Sequence, residues 1–220
     1  MSQKRSVVKF VAFGILIVIP IVFLLLFSPT KNIDENTRLK LPYFFPEVVN
    51  GDTVYHTIPP FEFDSHLGQK VTQEDFKNKI YVADFFYTTC PSICPIMSDN
   101  MADLQKQFIS NKDLLFISHT VDPKHDTVEV LKEYADMRGA IPGKWYFVTG
   151  NKKDLYRQAR KGYYISASEN IGVPEEEDFI HSDRFVLVDR MGHIRGSYNG
   201  TDSLAINKLK KDIVLLLAEQ

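Results

Sequence analysis

Residues 80–101, IYVADFFYTTCPSICPIMSDNM, join an apolar run to a cysteine-bearing turn and then to a pattern of helical period. Ile80 to Tyr87 is rich in β-branched and aromatic residues, as expected of a strand buried on both faces of a sheet covered by helices. Thr88 and Thr89 are turn or cap formers, and Pro91 suits a first helical turn. Ile96, Met97, Met101, Leu104 and Phe108 then recur at helical spacing. Cys90 and Cys94 are the only 2 cysteines of the chain. Four apart in a first helical turn, they are expected to share a face near the unpaired N–H groups and positive end of the helix dipole. That setting favours thiolate, which attacks disulfides and binds soft metals such as Cu(I), zinc or iron–sulfur clusters. A structural bridge is the blander reading, but such bridges more often close long loops, and a loop this short at an exposed junction constrains little.

The chain has 220 residues, with 44% hydrophobic and 25% charged residues and a net charge of -2. This composition describes an ordinary globular protein, and neither its charge balance nor its charge pattern points to nucleic acid. The N-terminus is different. Lys4, Arg5 and Lys9 precede Phe10 to Phe27, about eighteen residues broken only by Gly14 and Pro20, close to the length that spans a bilayer. No small-x-small cleavage site follows, so residues 1–29 read as a transmembrane signal-anchor rather than a cleaved signal. The positive flank stays cytoplasmic, which puts the remainder on the periplasmic or outer side of the cytoplasmic membrane. Residues 30–41 read as a linker and 42–220 as the folded domain.

Asn50-Gly51 marks a turn between short extended pieces, and Pro59-Pro60 leads into the strand Phe61 to Phe63. Thr72 is expected to cap a short helical piece with Asp75. Leu114 to Val121 is a second buried strand ending in the turn Asp122-Pro123. Asp126 or Thr127 caps a helix that Gly139 stops. Trp145 to Val148 is a strand and Thr149 to Arg160 a helix. Glu169 to Asp178 is an acidic loop, read as a solvated insertion. A hairpin follows (Phe185 to Asp189, Ile194 to Tyr198), then the amphipathic helix Ser203 to Leu217. Strands alternating with helices and closing on a hairpin plus helix indicate an α/β, thioredoxin-like fold, a central mixed sheet flanked by helices. Its cysteines lie beyond the carboxyl end of a central strand, where such sheets place chemistry.

In thioredoxin-like folds the segment entering the strand after the long insertion packs against the cysteine turn and usually carries a cis-proline. Here His181 takes that place. Cys90, Cys94 and His181 then form a two-sulfur, one-nitrogen set suited to copper. Asp122 is a supporting candidate, either orienting His181 or a backbone group as outer-shell partners do, or closing its own turn. His119 reads equally as a core residue or a neighbour of the site. His56, His66, His125 and His193 are expected to face solvent. The spacing of Met97 and Met101 favours core packing over thioether ligation.

At these residues the sequence resembles the Sco/SenC family of membrane-tethered copper proteins. The matches are Cys90-Pro91-Ser92-Ile93-Cys94-Pro95 after Asp84-Phe85-Phe86-Tyr87, Thr120-Val121-Asp122-Pro123 with Asp126-Thr127, His181-Ser182 before a strand, and Pro60-Phe61 and Tyr198-Asn199-Gly200. The resemblance implies copper, Cu(I) or Cu(II), on Cys90, Cys94 and His181, and a role in assembling the binuclear copper centre of cytochrome c oxidase subunit II. Ser92 departs from the acidic residue often found between the cysteines, and the acidic loop has no place in the family pattern. The alternative is an enzyme, a membrane-tethered thiol–disulfide oxidoreductase with Cys90 and Cys94 as its redox pair. It has no evident need of the histidine, and a peroxidase reading is weaker still.

Overall fold

The computed structural model describes residues 40–165 and 182–219, together with Val18, Ile19 and Phe23. Most of the proposed anchor and of the linker, the acidic stretch 169–178 and His181 lie outside the described residues. Among the described residues no helix is long and apolar enough to cross a membrane.

Residues 40–219 form their own compact unit. A hairpin opens it, β1 (Pro46–Val49) against β2 (Asp52–Tyr55). Asn50 and Gly51 both take the left-handed conformation (φ 53 and 90) that a tight two-residue hairpin turn requires. The main sheet has 7 strands in the order β4-β3-β7-β6-β5-β8-β9. These are β3 (Glu62–Ser65), β4 (Lys70–Thr72), β5 (Ile80–Phe86), β6 (Leu114–Thr120), β7 (Trp145–Thr149), β8 (Arg184–Val188) and β9 (Ile194–Asn199). Strands β5, β6 and β7 run parallel, and β8 returns antiparallel to β5, so the sheet is mixed as expected.

Every residue of β5 and of β6 is buried, which explains why both read as unbroken apolar runs rather than alternating ones. Alternate side chains feed two cores. Ile80, Val82 and Phe86 pack with Met97, Met101 and Leu104 of α1 (Ile93–Gln107), Leu131 and Tyr134 of α2 (Val128–Arg138), and Leu209, Ile213 and Leu216 of α4 (Ser203–Ala218). Tyr81, Ala83 and Phe85 face the opposite core, with Phe76, Tyr163, and Leu155 and Tyr156 of α3 (Lys152–Arg157). A π-helical turn, Gln158–Gly162, extends α3.

Local chemistry sets the boundaries. The Thr127 hydroxyl accepts from Val130 N–H at the start of α2, and Gly139 ends that helix at φ 69, where only glycine is free of strain. Thr72 N–H and hydroxyl both donate to the Asp75 carboxylate ahead of the 3-10 turn Gln73–Phe76. Met97 and Met101 are fully buried, as core packing requires. Ile96 is not part of that stripe: it is 49% exposed, because it lies on the outer face of α1.

Three histidines expected at the surface are not there, among them His56, which is half-buried with its Nε2 2.8 Å from Gly162 O and Tyr164 edge-on to its ring. His66 is buried, and its Nδ1 accepts from Phe147 N–H at 3.1 Å. His193 is half-buried, with Tyr43 and Tyr55 edge-on to its ring. A polar side chain with a backbone or aromatic partner loses little on burial, and that partner is invisible in a turn-like sequence. His119 is a core residue. It stacks on Phe85 in the core opposite the cysteines, and burial lowers its pKa to about 3, so it is neutral.

The entry of the chain into the domain is tied to its end. The buried guanidinium of Arg195 donates to the Leu41 and Pro42 carbonyls and to Asp189 and Glu219, and lies over the Tyr43 ring. Glu219 in turn accepts from Leu41 N–H.

Candidate functional site

Strand β5 ends at Phe86, and the chain turns through Tyr87 to Ser92 before α1 begins at Ile93. Cys90 therefore precedes the helix, and only Cys94 lies in its first turn. Pro91 helps impose this, since a proline fixes its own φ and disfavours helical geometry in the residue before it. Cys90 N–H donates to Tyr87 O at 3.2 Å, closing the turn. Both cysteines are reduced and, contrary to the expectation of an exposed junction, both are buried, at 7% and 3% exposure. They meet in a small cleft of about 50 Å³ walled by Phe85, Phe86, Tyr87 and Ile93. Ser182, the residue after His181, lines the same cleft.

The two thiols are not equivalent. Burial by itself would raise the Cys90 pKa. It is outweighed by the backbone N–H groups of Ser92 and Cys94 and by the Cys94 and Ser92 side chains, which bring Cys90 down to about 7. The Ser92 hydroxyl lies 3.9 Å from Cys90 Sγ. Cys94 is pushed up to about 12, by burial first, then by its hydrogen bond to Cys90 and by the charges of Cys90 and Asp84. One sulfur is thus a ready nucleophile or metal ligand near neutral pH, and the other keeps its proton until its partner reacts or a metal displaces it.

Asp122 follows the end of β6 and is half-buried. Its N–H donates to Thr120 Oγ1, and its carbonyl accepts from His125 and Asp126 N–H, at 3.0, 3.1 and 2.8 Å. These bonds close its own turn. Its negative charge also reaches the site, contributing with burial and the two cysteines to a raised pKa of the Tyr87 phenol.

Three features escape a sequence reading. Asp84 is a carboxyl inside an apolar strand, on the face that Val82 and Phe86 turn toward the cysteines. It is 1% exposed, its Oδ1 has no partner among the described residues, and burial raises its pKa to about 7 against a bond from Ser118. A lone carboxylate in such a run was the available signal. Asp126, which reads as a helix cap, is instead fully buried beside the cysteine turn. Finally, Gly200 N–H donates to Asp183 O, and Asn100 Nδ2 donates to Gly200 O, at 2.6 and 2.8 Å, bracing the segment that enters β8 against α1. A Cβ on Gly200 would come within 3.1 Å of the Met97 side chain and 3.3 Å of Asp183 O, so a larger residue here requires these neighbours to give by a few tenths of an ångström.

Comparison with known proteins bears on the whole unit. The SCO1 protein homolog of Bacillus subtilis is 32% identical over 165 residues, covering 74% of this chain and 83% of that protein. The structure of BsSco, described as a disulfide-switch member of the Sco family of cytochrome c oxidase assembly proteins, is 29% identical. It superposes with a TM-score of 0.63 over 75% of this chain and 95% of its own. Copper-bound ScoI of Arabidopsis thaliana shares the fold, at 22% identity and a TM-score of 0.60 over 75% of this chain and 100% of its own. Residues 50–216 match the SCO1/SenC family, so the cysteine turn, the sheet around it and the segment after it are those of a relative, and the chain belongs to the SCO1/SenC family.

Proposed function

We propose that this protein is a copper-handling assembly factor for cytochrome c oxidase, held to the cytoplasmic membrane by residues 1–29 with residues 42–220 on the periplasmic or outer side. Cys90, Cys94 and His181 hold the copper, which is cargo for the binuclear centre of oxidase subunit II or a similar client. The observation that carries the reading is the cleft shared by the Cys90 and Cys94 thiols with Ser182, the neighbour of His181. Two soft sulfurs suit Cu(I), and an imidazole extends the set to Cu(II). Cys90 presents a thiolate near neutral pH, and Cys94 gives up its proton as the metal binds. Delivery proceeds by ligand exchange, the client's cysteines replacing Cys90 and Cys94. Copper titration of the reduced domain tests this, with His181→Ala beside the wild type. A stoichiometric site whose thiolate-to-Cu(II) band depends on His181 is expected, and unchanged copper retention in the variant refutes the three-ligand site.

A second reading, reduction of a client disulfide, is favoured by the split acidity of the thiols. The Cys90 thiolate attacks a client sulfur, forming a mixed disulfide and releasing one client thiolate. Cys94 then transfers its proton to solvent and attacks Cys90 Sγ. The second client sulfur leaves, and a Cys90–Cys94 disulfide remains. Failure to bind either copper state, with a readily exchanged disulfide, assigns the protein to this class.

A further inference from the structure

We propose that Asp126 is a positioning residue for Cys90, acting through Thr88. Asp126 is fully buried, yet among the described residues no lysine or arginine pairs with it. Its carboxylate accepts from four donors instead: Thr88 N–H at 3.2 Å, the Thr88 hydroxyl, the Thr120 hydroxyl, and His125 Nδ1 at 3.0 Å. Burying an ion this way is costly unless every lone pair is used. A helix cap needs none of it, since Thr127 already caps α2.

The four donors divide by location. Thr120 is the last residue of β6, deep in the sheet, and His125 belongs to the same turn as Asp126. Thr88 belongs to the other side, two residues before Cys90. The carboxylate therefore joins the cysteine turn to the end of β6 by two bonds on one residue, a backbone N–H and a side chain, which fix both position and rotation. A neighbouring bond, Val121 N–H to Phe86 O at 2.9 Å, holds the root of the same turn. Cys90 N–H donates to Tyr87 O at 3.2 Å and Cys90 Sγ lies 3.9 Å from the Ser92 hydroxyl, both within this turn, so the pin controls how the reactive sulfur is presented.

The inference rests on the reading that Cys90 is the reactive thiol, and the test separates the two. Cys90 alkylation and mixed-disulfide formation are measured at pH 7 in the reduced full-length protein. The panel is wild type, Asp126→Asn, Thr88→Val, Thr88→Ser and Thr120→Val. Thr88→Val and Thr120→Val each remove one hydroxyl from the same carboxylate, but only the first lies on the cysteine turn. Thr88→Val is expected to slow Cys90 about tenfold, Thr88→Ser to restore the rate, and Thr120→Val to stay within about twofold of wild type. Asp126→Asn, which turns an amide N–H toward other donors, is expected to slow it at least as much as Thr88→Val. Should that variant not fold, the threonine pair decides. Equal rates in Thr88→Val and wild type, or equal slowing by both valine variants, overturn the positioning role. An inert Cys90 in the wild type overturns the site reading itself.

Discussion

Replacing Asp84 by asparagine tests the electrostatics behind the cysteines. Burial raises the Asp84 carboxyl from 3.8 to about 7 in the folded protein. Between those two values the native state holds a proton that the unfolded chain has lost, so its stability falls as pH rises through this window and levels off above it. Raising the pKa from 3.8 to about 7 corresponds to at most about 4 kcal/mol, at about 1.4 kcal/mol for each pH unit. Asparagine has nearly the same shape, is neutral throughout, and can still bond Ser118, which also accepts from the Trp145 indole at 2.9 Å. The variant is therefore expected to match the parent near pH 4 and to exceed its stability by about 2–4 kcal/mol at pH 8. The assay is urea unfolding followed by fluorescence of Trp145, the only tryptophan, with both cysteines replaced by serine so that no thiol titrates. Parallel stability curves for parent and variant across pH 4–8 would refute the reasoning, since they would mean that the carboxyl is hydrated or paired.

Cys90 and Cys94 should separate in a labelling experiment. With their pKa values near 7 and 12, iodoacetamide at pH 8 is expected to mark Cys90 almost alone in peptide mass spectra, and equal labelling counts against the asymmetry. Arg195→Met should cost about 3–5 kcal/mol in urea unfolding, because it removes the cationic partner of the buried Asp189 carboxylate and the guanidinium donor to the Leu41 carbonyl. A loss below about 1 kcal/mol would reduce the clamp to a surface ion pair.

Much of the fold and part of the site were legible because their causes are local. The runs at β5 and β6, the glycine that ends α2, the Asn50-Gly51 turn and the position of Cys90 and Cys94 beyond a strand all follow from periodicity, turn chemistry and spacing. Tertiary contact decided the rest. His66 is buried because Phe147 N–H reaches its ring from another strand, and Asp126 is a buried pin because Thr88, far away in sequence, completes its lone pairs. The split between the two thiols arises the same way, from N–H groups aimed at one sulfur and a buried carboxyl behind the other. Residue type and order determine which segments are strands or helices and which carry sulfur. The energy of a buried polar group depends on partners brought to it through space, and only the folded chain supplies them.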